Sequence, residues 1–323
     1  MRIIDYKKTW IVIGVFVMLL SAAVVFSFGL KLGIDFTGGS LTEVSYTVRP
    51  DKTEVENNLS PLSLGGYSLR QASDESGRDG FILRSRDLSE TERLQVEKVL
   101  TGVGEGGEVT RFTSIGPVIG QELKDKAVWA IGAVIIIIVI YVAFAFLGVG
   151  KPVGSYIYGG ITILALAHDV LVPSALMALL GHFYGMEVDV LFVTALLAVL
   201  GYSVNDTIVV FDRVRENLVK YRNAKKKMVN APGGVKREEV TYTFNKPFSE
   251  IVNLSLNEAM LRSINTSLTT FLALLALYIF GGDVTKTFAL VLMAGVVAGA
   301  YSSIFLASPL LVWYSERINK NNS

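Results

Sequence analysis

The fold of this chain is decided by residues 190–211, which read VLFVTALLAVLGYSVNDTIVVF. A helix rises about 1.5 Å per residue, so a run of this length crosses the apolar part of a bilayer. Asp206 interrupts the run near its end. A charge near the bilayer centre costs about 2.5–3.5 kcal/mol on insertion scales, and such residues are kept when they pair, face water or carry ions. The run therefore predicts a transmembrane helix with an ionisable group inside it.

Other apolar runs of similar length extend this prediction to the whole chain. Hydrophobic residues make up 51% of the sequence and charged residues 18%, which is typical of a membrane protein with several spans. The sequence has no cysteine, which excludes disulfides, thiolate chemistry and Cys-based metal sites. We expect no metal site and no cofactor. The six segments expected to span are 10–30, 127–149, 153–180, 188–211, 263–282 and 287–314.

Basic residues near the span ends predict the orientation. Residues 212–262 contain eleven Lys and Arg against six Asp and Glu, whereas the short loop 181–189 contains neither Lys nor Arg. Residues 31–126 have twelve basic and sixteen acidic residues, but long domains cross regardless of charge. We therefore expect both termini in the cytoplasm. The expected division is a cytoplasmic N-terminus with an uncleaved first span (1–30), an extracytoplasmic domain (31–126), spans two to four (127–211), a basic cytoplasmic loop (212–262), spans five and six (263–314) and a cytoplasmic tail (315–323).

The polar segment 31–126 has the pattern of a small α+β domain. Strands are predicted at 41–48, 67–72, 80–86 and 109–114 from alternating apolar residues and turn signals. Capping boxes at Asp51/Glu54 and Ser89/Glu92 predict helices at 55–59 and 90–100. This βαββαβ order predicts a ferredoxin-like sheet. The segment contains no catalytic motif, so its simplest interpretation is a binding or spacer module.

Polar residues follow helical spacing on the fourth and fifth spans. Tyr202, Asn205, Asp206, Val209 and Arg213 share one stripe of the fourth span. The stripe on the fifth span consists of Arg262, Asn265, Thr266 and Thr269. Lipid offers no hydrogen-bond partner, so both stripes must face protein or water. Since both fall in the cytoplasmic half, we expect them to meet and Asp206 to pair with Arg262.

Asp169, preceded by His168, lies near the middle of the third span. Burial favours the neutral form of such a carboxyl group and a nearby arginine favours the charged form. A proton crossing the membrane supplies about 2.3 kcal/mol per 100 mV, which is enough to shift a conformational equilibrium. Proton-linked work by Asp206, Arg262 and Asp169 is therefore the leading hypothesis.

Each of these residues also has a structural interpretation. Arg262 is close enough to the interface to be an ordinary basic flank, and Asp206 and Asp169 could hydrogen-bond between helices. His168 points about 100° away from Asp169 on a helix and could face a neighbouring helix only. Gly295 and Gly299 form a G-x-x-x-G pattern on the last span, which permits close helix contact.

Three stretches resemble the SecD/SecF family of export proteins. Residues 33–40, GIDFTGGS, resemble its D-F-x-G-G signature through Asp35, Phe36, Gly38 and Gly39. Residues 201–217, GYSVNDTIVVFDRVREN, and 256–270, LNEAMLRSINTSLTT, are similar to the fourth- and fifth-span signatures of the SecF branch. The three stretches occur in the family's order, and together with His168 and Asp169 they run from the first span to the fifth.

The resemblance implies an α-helical polytopic membrane protein with six transmembrane helices of the RND superfamily and a small extracytoplasmic ferredoxin-like domain. It implies an accessory subunit of the Sec preprotein translocase in the bacterial cytoplasmic (inner) membrane, which uses the proton-motive force to promote export after the ATP-driven step. The implied partners are SecD, the SecYEG channel, other Sec accessory membrane proteins and the translocating preprotein, with no nucleic acid. The family's intramembrane charges map onto Asp206 and Arg262, and Asp169 is a further candidate.

One segment departs from the family pattern. Residues 221–246 are longer than expected and read as an inserted, flexible basic loop near anionic lipid. Three rival functions stay open at this stage: an intramembrane aspartyl protease using two carboxylates, an RND-type proton-coupled exporter of small solutes, and a passive assembly factor. The protease is disfavoured because residues 201–206 read GYSVND and not G-x-G-D.

Overall fold

The computed structural model describes residues 2–73, 77–146, 153–230 and 236–321. The helices are, in chain order, α1 (Lys7–Phe28), α2 (Ile34–Thr37), α3 (Lys52–Leu59), α4 (Glu90–Val103), α5 (Pro117–Ala145), α6 (Ser155–Tyr184), α7 (Val190–Lys220), α8 (Phe248–Phe280), α9 (Asp283–Tyr301) and α10 (Ser308–Asn321). A 3₁₀ turn, Ile3–Tyr6, precedes α1, and a π-helical turn, Ser302–Ala307, joins α9 to α10.

Six helical segments within the described residues are long and apolar enough to cross a membrane, which confirms the expected number. α9, the π-helical turn and α10 together form the sixth of them. The six segments are Ile3–Phe28, Pro117–Ala145, Ser155–Tyr184, Val190–Lys220, Phe248–Phe280 and Thr285–Ile318.

The region between the first and second spans is a four-stranded antiparallel sheet with the helices α3 and α4 and the short helix α2, which we call the sheet domain (residues 31–116). Its strands are β1 (Gly39–Ser45), β2 (Ser68–Ser73), β3 (Asp79–Ser85) and β4 (Glu108–Ile115), in the spatial order β2-β3-β1-β4. This order and the βαββαβ sequence confirm the ferredoxin-like prediction. The central strand β1 pairs with both β3 and β4.

A separate apolar core holds the sheet domain together. Phe81 and Leu83 from β3 pack with Leu59 and Leu100 from the two helices, and all four side chains are fully buried. Tyr46 crosses the same core, and its hydroxyl donates to the Leu100 carbonyl at 2.8 Å. Burial raises the pKa of Tyr46 to about 12, so the hydroxyl stays a neutral donor at physiological pH.

The two predicted helix caps differ in the structure. Ser89 and Glu92 form the full capping box, with each side chain bonded to the other residue's backbone N–H. Hydrogen bonds from Arg86 and Ser89 lower the pKa of Glu92 to about 2. Asp51 caps α3 through the Thr53 N–H at 2.8 Å, so this cap is a simple one and does not use Glu54 as predicted.

Three membrane helices are longer than the sequence predicts. α5 begins ten residues before position 127, α7 continues to Lys220, and α8 begins at Phe248. A search for apolar runs misses the polar ends of these helices, because a helix outside the bilayer needs no apolar surface. Much of the predicted basic loop 212–262 is therefore helix.

The predicted flexible loop at 221–246 is a β-hairpin over its described residues. β5 (Arg222–Asn230) and β6 (Lys236–Phe244) pair antiparallel along their whole length. Regular backbone hydrogen bonding replaces the irregular loop that the basic composition suggested. Residues 231–235, which include the Pro-Gly-Gly sequence, lie outside the described residues.

Glycines bring the sixth span close to the fourth. A Cβ atom placed on Gly295 would lie 2.1 Å from Val199 Cγ2, and one on Gly299 would lie 3.2 Å from Ser203 Cβ. The G-x-x-x-G pattern therefore makes the close helix contact that the sequence permits. Gly295 and Gly299 therefore let α9 pack closely against Val199 and Ser203 of α7.

We expect Gly295→Ala to destabilise the protein by about 1–3 kcal/mol, because the branched Val199 side chain next to it has little freedom to move. Gly132→Ala on α5 is the matched control, since no atom lies within 4 Å of its added Cβ. The measurement is the thermal unfolding midpoint of the detergent-solubilised protein. The packing argument is wrong if both variants shift the midpoint equally, and Val199→Ala should partly rescue Gly295→Ala.

Candidate functional site

The Asp169 carboxylate is fully buried on α6 and accepts three hydrogen bonds from three parts of the chain. His168 Nδ1 lies 2.8 Å from Oδ1. Ser302 Oγ from the π-helical turn donates to Oδ2 at 2.7 Å, and Ser203 Oγ from α7 donates to the same oxygen. Asp169 is thus the centre of a polar cluster that joins α6, α7 and the sixth span.

The π-helical turn aims its hydroxyls at this cluster. Ser303 Oγ lies 3.0 Å from Thr207 Oγ1 on α7, and Ser303 also donates to the Gly299 carbonyl at 2.9 Å. Ser308 Oγ donates to the Ser303 carbonyl at 3.1 Å. A π-turn weakens the regular helix ladder and is frequent at functional sites. Here serine side chains add hydrogen bonds to backbone carbonyls in and beside the turn.

His168 does not point away from Asp169, as the helical wheel suggested, but bonds it through Nδ1. Its ring also stacks on Tyr301, with the ring centroids 5.8 Å apart. Nε2 of His168 and the hydroxyl of Tyr301 are buried and have no hydrogen-bond partner within the described residues. Both residues border an apolar cavity of about 620 Å³ between α1, α6, α8 and α9.

Asp206 lies one helical turn beyond Ser203 on α7 and is also buried, with 3% of the residue exposed. Its Oδ2 accepts a hydrogen bond from Ser267 Oγ on α8 at 3.2 Å, and Ser267 also receives the Tyr202 hydroxyl at 3.3 Å. Within the part of the chain that the structure describes, Asp206 forms no ion pair. Its partner is a neutral hydroxyl group.

The expected pair between Asp206 and Arg262 is therefore not formed, because α8 turns a different face to α7. Arg262 is exposed, and so are Asn265, Thr266 and Thr269. Thr266 and Thr269 donate their hydroxyls to carbonyls of their own helix. The face of α8 that is buried against its neighbours instead carries small residues at every fourth position, namely Ser255, Ala259, Ser263 and Ser267.

The remaining predicted residues lie apart from the two buried carboxylates. Asn205 is exposed beside Asp206 on α7. Asp35, Phe36, Gly38 and Gly39 form α2 and the turn that leads into β1, at the other end of α7. Val190, which bonds Asp35, precedes Asp206 by about 24 Å along the helix at about 1.5 Å per residue.

The sequence predictions missed the serines that serve the two carboxylates. Ser203, Ser267 and Ser302 are the hydrogen-bond donors, and each is buried. Serine is common on both buried and exposed faces of membrane helices, so its presence alone carries little signal. The fourfold spacing of small residues on α8 is the pattern that could have identified the contact face.

This arrangement suits proton binding better than catalysis by a carboxylate pair. An aspartyl dyad requires two carboxyl groups that share a proton. In the described residues, Asp169 and Asp206 bind separate hydroxyls and not each other. Among the same residues there is no group of three or more His, Cys, Asp or Glu side chains that could hold a metal ion.

The sequence and fold were compared with known proteins. The family model described as "Protein export membrane protein SecD/SecF, C-terminal" matches residues 95–231 and 235–317, and the "SecD/SecF GG Motif" matches residues 23–48. The protein translocase subunit SecF of Thermobaculum terrenum is 36% identical over 326 residues, covering 98% of this chain and 94% of that protein. SecDF of Thermus thermophilus is 34% identical and is covered over 36% of its length.

The fold agrees with these matches. The crystal structure of Thermus SecDF, described as a translocon-associated membrane protein, superposes with a TM-score of 0.77 at 30% identity, over 97% of this chain and 38% of that chain. A super-membrane-facing form of SecDF superposes with a TM-score of 0.65, over 100% of this chain and 40% of that chain. Since one family model covers most of the sequence and relatives match nearly its whole length, this chain belongs to the SecD/SecF family of protein export membrane proteins.

Proposed function

We propose that this chain is a subunit of a protein-export machine in the bacterial cytoplasmic membrane. With a SecD partner beside the SecYEG channel, it uses the proton-motive force to draw preprotein across after the ATP-driven step. In this proposal the termini are cytoplasmic and the sheet domain faces outward. Asp206, Arg262 and Asp169 carry the proton coupling, and Asn205, Asn265, Thr266 and Thr269 line the surrounding polar surface.

The observation that carries the proposal is the bonding of Asp206. Its carboxyl group is buried in a membrane-length helix, and its partner is the Ser267 hydroxyl and not a fixed positive charge. A hydroxyl group can donate to a carboxylate or accept from a carboxylic acid, so both protonation states keep a hydrogen bond. A proton that crosses the whole membrane through this site supplies about 2.3 kcal/mol per 100 mV, which is enough to change the population of two conformations.

Arg262 supports the presence of a partner subunit. It lies exposed on α8, within a membrane-length segment, alongside the exposed Asn265 and Thr269. A charge and an amide on such a face need protein or water around them, because lipid supplies no hydrogen-bond partner. In the Thermus SecDF relative, this chain corresponds to 36% of one longer polypeptide. We infer that a SecD-like subunit covers this exposed polar face of α8. Arg262 then lies in the interface between the two subunits.

We expect Asp206→Asn and Arg262→Ala to insert and fold normally but to lose gradient-driven export. The measurement is preprotein translocation in inverted vesicles that contain the chain with its SecD-like partner, after ATP is exhausted, with and without a proton gradient. Asp212→Asn is the matched control, since its side chain is 63% exposed on the same helix. The proton assignment is refuted if both variants complete translocation as the wild type does.

A second measurement tests the partner. The chain should co-purify with a SecD-like protein from native membranes, and Arg262→Ala should weaken the complex more than Arg317→Ala does. Arg317 is the matched control because it stacks on Trp313 of its own helix. Purification of the chain free of any such protein would favour the rival function, a proton-coupled exporter of small solutes.

Asp169 should behave differently from Asp206, because three buried donors depend on it. Asp169→Ala leaves the His168 and Ser203 groups unsatisfied at about 1–3 kcal/mol each, whereas Ser302 keeps the Gly299 carbonyl at 3.2 Å, so we expect a large fall in the thermal unfolding midpoint. Asp206→Asn should change the midpoint little. If Asp169→Asn keeps the midpoint and still abolishes gradient-driven export, Asp169 takes part in proton coupling. If it keeps both, the role of Asp169 is structural only.

A further inference from the structure

The GG motif lies at a junction between the sheet domain and the membrane helices. Leu32 forms a short parallel bridge with Val188. Its two hydrogen bonds run from the Val188 N–H to the Lys31 carbonyl and from the Gly33 N–H to the Val188 carbonyl, both at 2.8 Å. Arg84 on β3 forms an ion pair with Glu187 at 2.5 Å. The loop between α6 and α7 is thus tied to the chain that leads into the sheet domain.

Asp35 extends this junction to the first residue of α7. Its Oδ2 accepts a hydrogen bond from the Val190 N–H at 2.9 Å. The first N–H groups of a helix have no partner inside the helix, and a negative charge there interacts favourably with the helix dipole. The acceptor comes from a distant part of the sequence and belongs to the turn that begins the sheet domain.

Helix α7 already has an N-cap residue of its own. The need for a helix cap therefore does not explain why Asp35 lies at this helix end. Asp189, the residue before α7, accepts from the Phe192 N–H at 2.8 Å. Burial raises the pKa of the Asp189 carboxyl group, and the neighbouring Asp35 carboxylate raises it further. Asp35 therefore adds a second, mutually repelling carboxylate at one helix end, which a helix cap does not require.

The two glycines leave the turn little freedom to move. Gly38 has φ +72°, and a Cβ there would lie 2.8 Å from Pro117 Cα at the start of α5. Gly39 has φ +126°, and its Cβ would lie 2.5 Å from the Ser85 carbonyl oxygen on β3. The turn is held between α5 and β3, and β1, the central strand, begins at Gly39. The turn can absorb little movement, so a displacement of the end of α7 would also displace β1.

We propose that Asp35 is a positioning residue that ties the outward end of α7 to the sheet domain and transmits movement of α7 to that domain. α7 also holds Asp206, so the hydrogen bond from Val190 to Asp35 connects the proton-binding span to the domain outside the membrane. This inference rests on the proposed proton-driven function.

Two variants remove the same hydrogen bond from its opposite ends. Asp35→Ala removes the acceptor. Val190→Pro removes the donor at the first helical position, where proline is favoured, and Asp189 before it already has the extended conformation that proline requires (φ −125°, ψ −172°). Asp35→Asn keeps an oxygen acceptor. Asp189→Ala is the matched control, because it removes the other carboxylate at the same helix end but leaves both partners of the Val190–Asp35 hydrogen bond in place.

The measurement uses the complex with its SecD-like partner in proteoliposomes. The sequence has no cysteine, so Leu94→Cys on α4 and Phe280→Cys on α8 can be spin-labelled without a background. Both side chains are exposed. We expect the wild-type distance between the labels to shift when a proton gradient is applied. Asp35→Ala and Val190→Pro should lose this shift and the gradient-driven part of export, and their double variant should be no worse than either.

Asp35→Asn and Asp189→Ala should keep the gradient-dependent shift and the export. The inference is overturned if Val190→Pro, folded as judged by its thermal midpoint, retains both, or if Asp189→Ala loses as much as Asp35→Ala. Either result leaves the proposed function intact. If the wild type itself shows no gradient-dependent export and no shift, the proposed function fails and the inference fails with it.

Discussion

A carboxylate inside a bilayer must find its hydrogen-bond partners within the protein, and much of the membrane part follows from this constraint. Asp169 needs donors from other helices, which requires those helices to approach closely. Gly299 permits the approach by facing Ser203, and Ser203 and Ser302 complete the set of donors. The π-helical turn in the sixth span places Ser302 where Asp169 can use it. Small residues are therefore concentrated where the polar groups are.

The two buried carboxylates satisfy the constraint to different extents. Asp169 has three donors from three segments, and a group so well bonded resists change because buried donors would lose their acceptor. Asp206 has the Ser267 hydroxyl and lies on the helix face towards α8. A site that must bind and release a proton needs two states of similar free energy. In the proposed mechanism the hydroxyl partner of Asp206 suits that role, whereas the three contacts of Asp169 hold neighbouring segments together.

Helix α7 connects three distant parts of the molecule. Its first residue bonds Asp35 of the sheet domain, and its middle holds Asp206. Its C-terminal extension bonds α8 through Asn217, whose amide donates to Ser255 at 3.0 Å and to Glu258 at 2.9 Å. A single helix therefore links the sheet domain, the buried acid and the end of α8 that lies beyond the apolar run.

The sequence by itself determined the six spans, the ferredoxin-like domain and the family motifs, because apolar runs, alternation and capping residues are local signals. Which face of α8 meets α7 was decided only by tertiary structure. Successive residues on a helix differ by about 100°, so a stripe at Arg262 and one at Ser263 face different neighbours. The sequence predicted that the stripe with Arg262 would face α7, because that stripe carries the bulky polar residues. In the structure the stripe with Ser263 is buried, because its small residues permit close packing. The bond from His168 to Asp169 and that from Val190 to Asp35 likewise depend on how side chains and distant segments meet, which local patterns do not contain.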